Sequence, residues 1–414
     1  MNAITARELG PAIAFERPLR ADSPALQHLI DWIARDASER DRERELPFGV
    51  IDQVRRSGLA ALRVPQAEGG SGISLRTLFS VVVRIAAADS NVAHILRNHY
   101  VTLERVLASP RSERNRRWIA AVVDGAILGL AGTELTAKRS GSLEVANTQL
   151  VGAGDGGYRL NGEKYYSTGA LYADYLSIPV LTPEGEAASV LVPSIREGVD
   201  RVDDWDGFGQ RLTGTGTTRL VDVRIEADEL IRAGDADNHR FHYFATIPQL
   251  YVTAINAGIL QAVVNDAGAL VHRRPRSFYH AVADVAAQDP LIQQVIGELS
   301  ARAFAGEAIV LAAAQALDEL LEQAPLGPDR AKEASLNASL QAAKAKLVVD
   351  DLVLKSTSQM FEVGGASSAK RSENLDRHWR NARTLASHNP SIFKARVLGD
   401  YELNGTLPPN LAFF

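Results

Sequence analysis

The hydrophobic pattern of this 414-residue chain changes its period twice, and the order of the three regions restricts the fold more than any single motif. From about residue 23 to 126, apolar side chains recur at steps of three and four, which is typical of amphipathic helices. From about 127 to 227, short β-type runs replace that pattern. Long helical stretches then return, predicted over 241–272, 289–322 and 329–361.

The middle region has successive strands with no helix between them, which favours an antiparallel barrel or sandwich over a parallel sheet. Asn161 and Gly162 lie between two alternating runs, and both tolerate positive φ, so this pair is the strongest short-range hairpin signal in the chain. We place a β domain at residues 127–232, between an N-terminal helical domain (1–126) and a C-terminal helical bundle (233–414) whose alanine-rich stretches allow close helix contact.

Composition excludes several classes of protein. The chain has no cysteine, which rules out disulfides, thiolate catalysis and iron–sulfur clusters and favours a reducing compartment. Its 45 Lys and Arg against 50 Asp and Glu give a net charge of −5, which is too mild to indicate a nucleic-acid surface. The aromatic content of 6% is a further argument against such a surface. No signal peptide or run of about 18 apolar residues is recognisable, so we expect a cytoplasmic protein without a membrane span.

Familiar catalytic motifs are missing as well. The sequence has neither a G-x-S-x-G nucleophile elbow nor a G-x-x-x-x-G-K-[ST] phosphate loop. His94 and His99 lie five residues apart, about 140° around a helix, so they do not share a face for a common metal ion. We expect no metal site.

Segments rich in hydroxyls and glycine are the remaining candidates for a ligand site. YYSTG, residues 165–169, offers Ser167, Thr168 and backbone N–H groups to a flat polar ligand, although a strand with a solvated Ser/Thr face fits equally well. GFGQRLTGTGTT, residues 207–218, is equally consistent with a cluster of turns. QMFEVGGASSA, residues 359–369, ends a helix with two glycines, either as a C-cap or as an approach to a phosphate.

Five segments, in their order along the chain, resemble motifs of the acyl-CoA dehydrogenase superfamily and span nearly the whole sequence. They are RVPQAEGGSGIS (63–74), LAGTEL (130–135), LNGEKYYSTGALYADYL (160–176), DWDGFGQRLTGTGTTRLVDV (204–223) and QMFEVGGASSA (359–369). The resemblance implies an α+β, mainly α fold with an N-terminal helical domain, a central antiparallel β-barrel domain and a C-terminal four-helix bundle.

Two later segments are similar to the flavin-dependent monooxygenase branch of that superfamily, typified by dibenzothiophene monooxygenase and sulfur-acquisition oxidoreductases. NLDRHWRNARTLASHNP, residues 374–390, places His388 where a dehydrogenase context would carry its carboxylate base. HRRPRSF, residues 272–278, replaces the R-x-Q-F-G segment of dehydrogenases. The branch commonly carries two histidines and an aspartate in the late motif. Here Leu385, His388 and Asn389 occupy those places, which leaves the proton relay and the substrate open.

The resemblance implies a two-component enzyme. A separate reductase supplies reduced FMN, oxygen adds at the flavin C4a carbon to give a hydroperoxide, and one oxygen atom passes to a small substrate, with a sulfur compound favoured. Such chemistry requires a pocket that excludes water. The alternatives are an FAD-dependent acyl-CoA dehydrogenase and a non-catalytic flavin-binding protein. By analogy we expect a homotetramer, with no nucleic-acid or membrane partner.

The same resemblance assigns roles to individual residues. His388 tunes the peroxide proton or acts as an acid–base group, and Ser167 hydrogen-bonds the flavin. Tyr100 lines the substrate pocket, with Asn98 and His99 as alternatives. The other predicted cofactor-binding residues are Thr133, Tyr166, Thr168, Trp205, Gly364, Gly365 and Arg276, the last for the FMN phosphate with Arg274 as its alternative.

Overall fold

The structure, a computed structural model, describes residues 15, 17–109, 111–135, 147–232, 241–274, 276–410 and 414. Ser23, Ser74 and Ser112 cap three of the N-terminal helices, each accepting a backbone N–H of the first turn. The described helices of this region are α1 (Pro24–Ala34), α2 (Ala37–Glu43), α3 (Phe48–Ser57), α4 (Leu75–Ala88), α5 (Ser90–Ile95), α6 (Arg97–Ala108) and α7 (Glu113–Val123).

The middle region forms one sheet from eight described strands in the order β6-β7-β3-β2-β4-β5-β8, with β1 added beside β4. The strands are β1 (Leu128–Leu130), β2 (Gln149–Gly152), β3 (Tyr158–Lys164), β4 (Tyr175–Leu181), β5 (Ala187–Pro193), β6 (Val199–Arg201), β7 (Thr218–Ile225) and β8 (Leu230–Arg232). The β1–β4 and β2–β4 pairs are parallel, so the sheet is mixed where we predicted an antiparallel barrel. The short strand β1 enters beside β4 directly from the helical region, without a hairpin to make it antiparallel.

The predicted hairpin turn at Asn161–Gly162 is wrong. Strand β3 continues through both residues without a turn, and its register against β7 shifts there as in a β-bulge. Gly162 is needed for close approach, because a Cβ at this position would lie 2.7 Å from the Thr148 hydroxyl. The actual turn joins β2 to β3 over residues 153–157, where Gly154 and Gly156 have positive φ.

The C-terminal region is helical, as predicted. Its three long helices begin and end within two residues of the predicted ranges, and they pack against one another with α11 against α8 and α10. The helices are α8 (Phe241–Arg273), α9 (Pro290–Gln323), α10 (Pro328–Gln359), α11 (Asp376–Ser387) and α12 (Ser391–Asn404).

Helix α8 is the centre of this packing. By length and composition alone residues 245–273 could cross a membrane, but 83% of their most apolar window is buried inside the protein, which is the pattern of a core helix. Helices α5 and α6 contact α8 on one side, and α6 contacts strand β1 on the other. The N-terminal helices, the sheet and the C-terminal bundle therefore meet around α5 and α6.

Candidate active site

The turn that follows β3 carries Ser167 and Thr168. The Ser167 N–H donates to the Gly216 carbonyl at 3.1 Å, and the positive φ of Gly169 closes the turn. Ser167 is only 1% exposed, and within the described part of the chain its hydroxyl has no hydrogen-bond partner. A buried hydroxyl in this state is costly unless a ligand completes its hydrogen bonding.

Three other predicted cofactor-binding residues lie along the same edge of the sheet. Thr133 forms an isolated bridge with Tyr165, whose N–H donates to the Thr133 carbonyl at 2.8 Å. Tyr166 is 49% exposed with a left-handed φ of 55°, and its ring centroid lies 6.1 Å from that of Trp205. The structure thus brings Thr133, Tyr166, Trp205 and the Ser167 turn to one edge.

A buried ion pair holds this edge together. Glu134 follows Thr133, Lys164 ends β3, and the Lys164 ammonium donates to the Glu134 carboxylate at 2.8 Å, with both side chains at most 2% exposed. Burial by itself would raise the pKa of Glu134. The hydrogen bonds from Lys164 and Thr148 outweigh that effect and lower it to about 2.

His388 lies between α11 and α12 and faces α6. Arg97 on α6 approaches the His388 Nε2 atom at 3.1 Å. Since a guanidinium can only donate, Nε2 accepts and the proton of the neutral ring is on Nδ1. Burial, followed by the charge of Arg97, holds the pKa of His388 well below 6.5, so the ring is neutral at neutral pH.

Arg97 connects His388 with the Ser167 turn. Its Nε donates to the Asn98 side-chain oxygen at 3.4 Å, and the Asn98 amide donates to the Thr168 carbonyl at 2.8 Å. Burial lowers the pKa of Arg97 to about 10, which leaves it charged at neutral pH. One chain of polar contacts therefore joins His388 to the turn that carries Ser167.

His94 is a second buried imidazole at this place, and the sequence did not indicate a role for it. Its Nδ1 lies 3.1 Å from the Gln210 side-chain oxygen, while the Gln210 amide donates to Ser90. The Nε2 atom of His94 is then an acceptor, buried without a partner in the described residues. Burial lowers the pKa of His94 to about 3, so this ring is neutral too.

Tyr100, predicted to line the substrate pocket, is buried in the core, and its hydroxyl donates to the Leu59 carbonyl at 2.7 Å. Its ring stacks on that of Tyr251, with centroids 6.2 Å apart. Of the two alternatives, His99 contacts the Ala60 carbonyl and the Leu128 N–H, whereas Asn98 contacts the Ser167 turn. The role of Tyr100 stays a prediction.

The predicted phosphate-binding residues form a second group at the far end of α8. Arg276 is exposed, and Arg274 donates to the Val363 carbonyl at 2.6 Å. A Cβ on Gly364 would meet Leu270 at 2.5 Å. Tyr251 of α8 lies beside Arg97. At a rise of 1.5 Å per residue, Leu270 is about 28 Å farther along α8 than Tyr251. Within one chain this group is therefore far from Arg97, and its role in binding the FMN phosphate stays a prediction.

No three His, Asp or Glu side chains gather into a metal-binding set within the described ranges.

The family model of the acyl-CoA dehydrogenase N-terminal domain matches residues 28–126, and that of the C-terminal domain matches residues 250–391. The chain belongs to the acyl-CoA dehydrogenase family.

Relatives within the acyl-CoA dehydrogenase family are similar over nearly the full chain. The probable FMNH2-dependent monooxygenase SfnC of Pseudomonas putida is 28% identical over 99% of this chain and 98% of its own length. The dibenzothiophene monooxygenase of Mycolicibacterium goodii is 28% identical over 89% of this chain and 90% of that enzyme. FMN-bound TdsC from Paenibacillus sp. A11-2 is 30% identical, covers 95% of this chain and 100% of its own, and superposes with a TM-score of 0.84. The predicted similarity to the monooxygenase branch is confirmed.

The residues at this acyl-CoA dehydrogenase-type site fit a flavin. An isoalloxazine ring offers both donors and acceptors along its edge, and the unsatisfied Ser167 hydroxyl and His94 Nε2 are complementary to them. Tyr166 and Trp205 supply exposed aromatic surface beside Ser167.

Sequence reasoning missed His94, Arg97 and Gln210. A signal for two of them was present, because Arg97 and Asn98 follow His94 by three and four residues, a spacing that predicts one face of a continuous helix, although in the structure α5 ends at Ile95 and α6 begins at Arg97. A face of buried polar residues is unusual, and it indicates either an internal hydrogen-bond network or a ligand.

Proposed function

We propose that this protein is the oxygenase of a two-component flavin monooxygenase. A separate reductase delivers reduced FMN, and oxygen and a small organic substrate, with a sulfur compound favoured, complete the reaction. The observation that carries the proposal is a neutral imidazole at His388, held by Arg97 and joined through Asn98 to the Ser167 turn. The monooxygenases named among the relatives support the same assignment.

The electrostatics of His388 argue against an acyl-CoA dehydrogenase. Removal of a proton α to a thioester needs a competent base. The ring of His388 faces the positive charges of Arg97, Lys346 and Lys394, and its low pKa makes it a weak base. A neutral imidazole with a proton fixed on Nδ1 is suited to donating a hydrogen bond to an oxygen atom at constant charge.

Each residue then has a task that needs no change of its own charge. Ser167 and His94 orient the flavin edge through the buried hydroxyl and Nε2. Tyr166 and Trp205 border the ring system, and His388 holds its proton at Nδ1. Bound reduced FMN supplies the two electrons by which one oxygen atom of O2 enters the substrate and the other leaves as water. Burial of Ser167 and His94 keeps bulk water away from their contacts with the flavin.

We also propose that the protein is a homo-oligomer, with a tetramer as the expected state, and that it works in the cytoplasm. Exposed large apolar side chains between α8 and α9 and on α9 support a covered surface, namely Tyr279, Val282, Leu291 and Phe304. The absence of cysteine fits a reducing compartment. Light scattering coupled to size-exclusion chromatography measures the mass of the assembly.

The deciding experiment supplies reduced FMN from an added reductase, with oxygen and a panel containing dibenzothiophene and small alkyl sulfur compounds. We expect oxygenated product by mass spectrometry, with one atom from 18O2. The acyl-CoA dehydrogenase alternative predicts instead that an acyl-CoA bleaches bound FAD without oxygen, and that result would refute the proposal.

Variants separate catalysis from flavin binding alone. His388→Ala and Ser167→Ala should each lower turnover more than tenfold, about 1.4 kcal/mol of barrier. His28→Ala is the matched control, because His28 is exposed on α1. Native turnover in both site variants would instead favour a non-catalytic flavin-binding protein.

A further inference from the structure

The turn between α11 and α12 that carries His388 is tied to two other helices by buried polar contacts. Asn389, next to His388, donates to the Gln249 side-chain oxygen on α8 at 3.0 Å. On the other side of the turn, Lys346 and Asp350 of α10 lie buried beneath it.

Asp350 is the centre of this second set. Its carboxylate accepts hydrogen bonds from the Lys346 ammonium at 2.6 Å, the Asn256 amide at 2.9 Å and the Ser391 hydroxyl at 2.9 Å. The three donors belong to α10, α8 and α12, so one carboxylate connects three helices.

These contacts hold both ends of the His388 turn. Lys346 also donates to the Ala386 carbonyl at 3.3 Å, two residues before His388. Ser391, three residues after His388, is fixed by Asp350 itself. If Asp350 lost its charge, both anchors would loosen, and the distance from His388 to Arg97 would no longer be fixed.

Charge gives Asp350 a second effect on the same turn. The ionisable groups that face His388 are Arg97 of α6, His94 of α5, Lys346 of α10 and Lys394 of α12. Asp350 pairs directly with Lys346 and acts on Lys394, whose pKa burial and the Lys346 charge lower to about 7. Asp350 thus places a negative charge beside the lysines that face His388.

We propose that Asp350 is a positioning residue for the oxygenation reaction, fixing the His388 turn through Lys346 and Ser391 so that the imidazole stays on Arg97. Asp350 acts through His388. The expected effect on kcat rests on the proposed function, whereas the effect on the position of His388 does not.

The test compares Asp350→Asn with Asp351→Asn in the full-length protein. Asp351 is a matched control, since it pairs with Lys355 at the same four-residue spacing but on the exposed side of α10. In Asp350→Asn we expect kcat to fall at least tenfold, with the KM for the organic substrate within threefold of native. We also expect the imidazole 15N signals of His388, assigned with His388→Gln in histidine-labelled protein, to shift or broaden. Native kcat together with unchanged His388 signals would overturn the proposal.

A milder variant decides the matter if Asp350→Asn does not fold. Ser391→Ala removes the hydroxyl that donates a hydrogen bond to the Asp350 carboxylate. It should change the His388 signals in the same direction as Asp350→Asn and lower kcat at least threefold. Unchanged signals in Ser391→Ala would refute the positioning role. If the native protein oxygenates no substrate, the proposed function fails, yet the His388 signals still test Asp350.

Discussion

Breaking the buried ion pair between Lys164 and Glu134 should loosen the edge of the sheet on which the proposed flavin site depends. Lys164→Met keeps the length of the side chain and removes its charge, so the buried Glu134 carboxylate loses its cationic partner while Thr148 and Asn147 still donate hydrogen bonds to it. Because Glu134 lies beside Thr133 and Lys164 precedes Tyr165, the pair joins the two segments that carry the predicted flavin contacts.

Two routes bound the magnitude of this change. The fall in the Glu134 pKa from 4.5 to about 2 is worth about 3 kcal/mol at 1.36 kcal/mol per unit, and Lys164 shares this effect with the Thr148 and Asn147 hydrogen bonds that the variant keeps. Removing one partner of a buried pair typically costs about 3–5 kcal/mol. Burial lowers the pKa of Lys164, so desolvation of its ammonium offsets part of the gain, and we expect the lower end of this range.

Hydrogen exchange measured by mass spectrometry on β3 is the suitable assay. A loss of about 3 kcal/mol corresponds to roughly a hundredfold drop in amide protection. Since the folded pKa of Glu134 lies below its ordinary value, its stabilisation is present above pH 4.5 and is lost as pH falls toward 2. The difference between native and variant should therefore shrink in acid.

The matched control is Lys355→Met, which breaks an ion pair with both side chains about 60% exposed and should cost less than about 1 kcal/mol. FMN affinity should weaken in Lys164→Met and stay native in Lys355→Met. Equal protection of β3 in the two variants would refute the reasoning.

Three further outcomes follow from single contacts. Asn98→Ala removes the donor to the Thr168 carbonyl and should lower turnover about tenfold. Tyr100→Phe removes only the hydrogen bond to the Leu59 carbonyl and should keep turnover within threefold of native. If steady-state assays showed the larger loss in Tyr100→Phe, they would favour the predicted pocket role of Tyr100. Although burial opposes it, the contacts with His378 and Arg377 hold the pKa of Asp266 well below its usual range. Stability should therefore fall as pH drops below about 4. In Asp266→Asn the melting temperature should depend less on pH in this acid range. Gly365→Ala should lower stability by about 1–2 kcal/mol, because its φ is +57° and the new Cβ would lie 2.7 Å from Phe278, while Gly268→Ala in open space on α8 should not lower the melting temperature.

The helical regions were predictable because their signals are local and long. A helix such as α10 repeats its apolar face over many turns, and errors at the ends do not alter the pattern. The β region is different, since each strand is short and pairing depends on distant partners. Asn161–Gly162 has the composition of a hairpin turn, yet the close approach of Thr148 explains Gly162 equally well, and only the tertiary structure distinguishes them.

The site was predictable to the extent that motifs carried it. Resemblance pointed to His388 and the Ser167 turn, which the structure joins through Arg97 and Asn98. The same motifs grouped Gly364 and Arg276 with them, although these lie at the other end of α8. A motif identifies a residue type at a position, but it contains no information on which positions meet within one chain.

Arg97 illustrates the limit most clearly. In sequence it is an arginine at the start of a helix, where a solvated side chain is the ordinary expectation. Its contacts with His388, 291 residues away, and with Asn98 place a guanidinium among neutral acceptors, where burial lowers its pKa to about 10 but leaves the charge. The contact with Arg97 then sets the tautomer of His388, and the charge of Arg97 adds to the effect of burial in keeping that ring neutral. The chemistry of the site therefore depends on a residue whose importance arises entirely from the packing of α6 against the turn before α12.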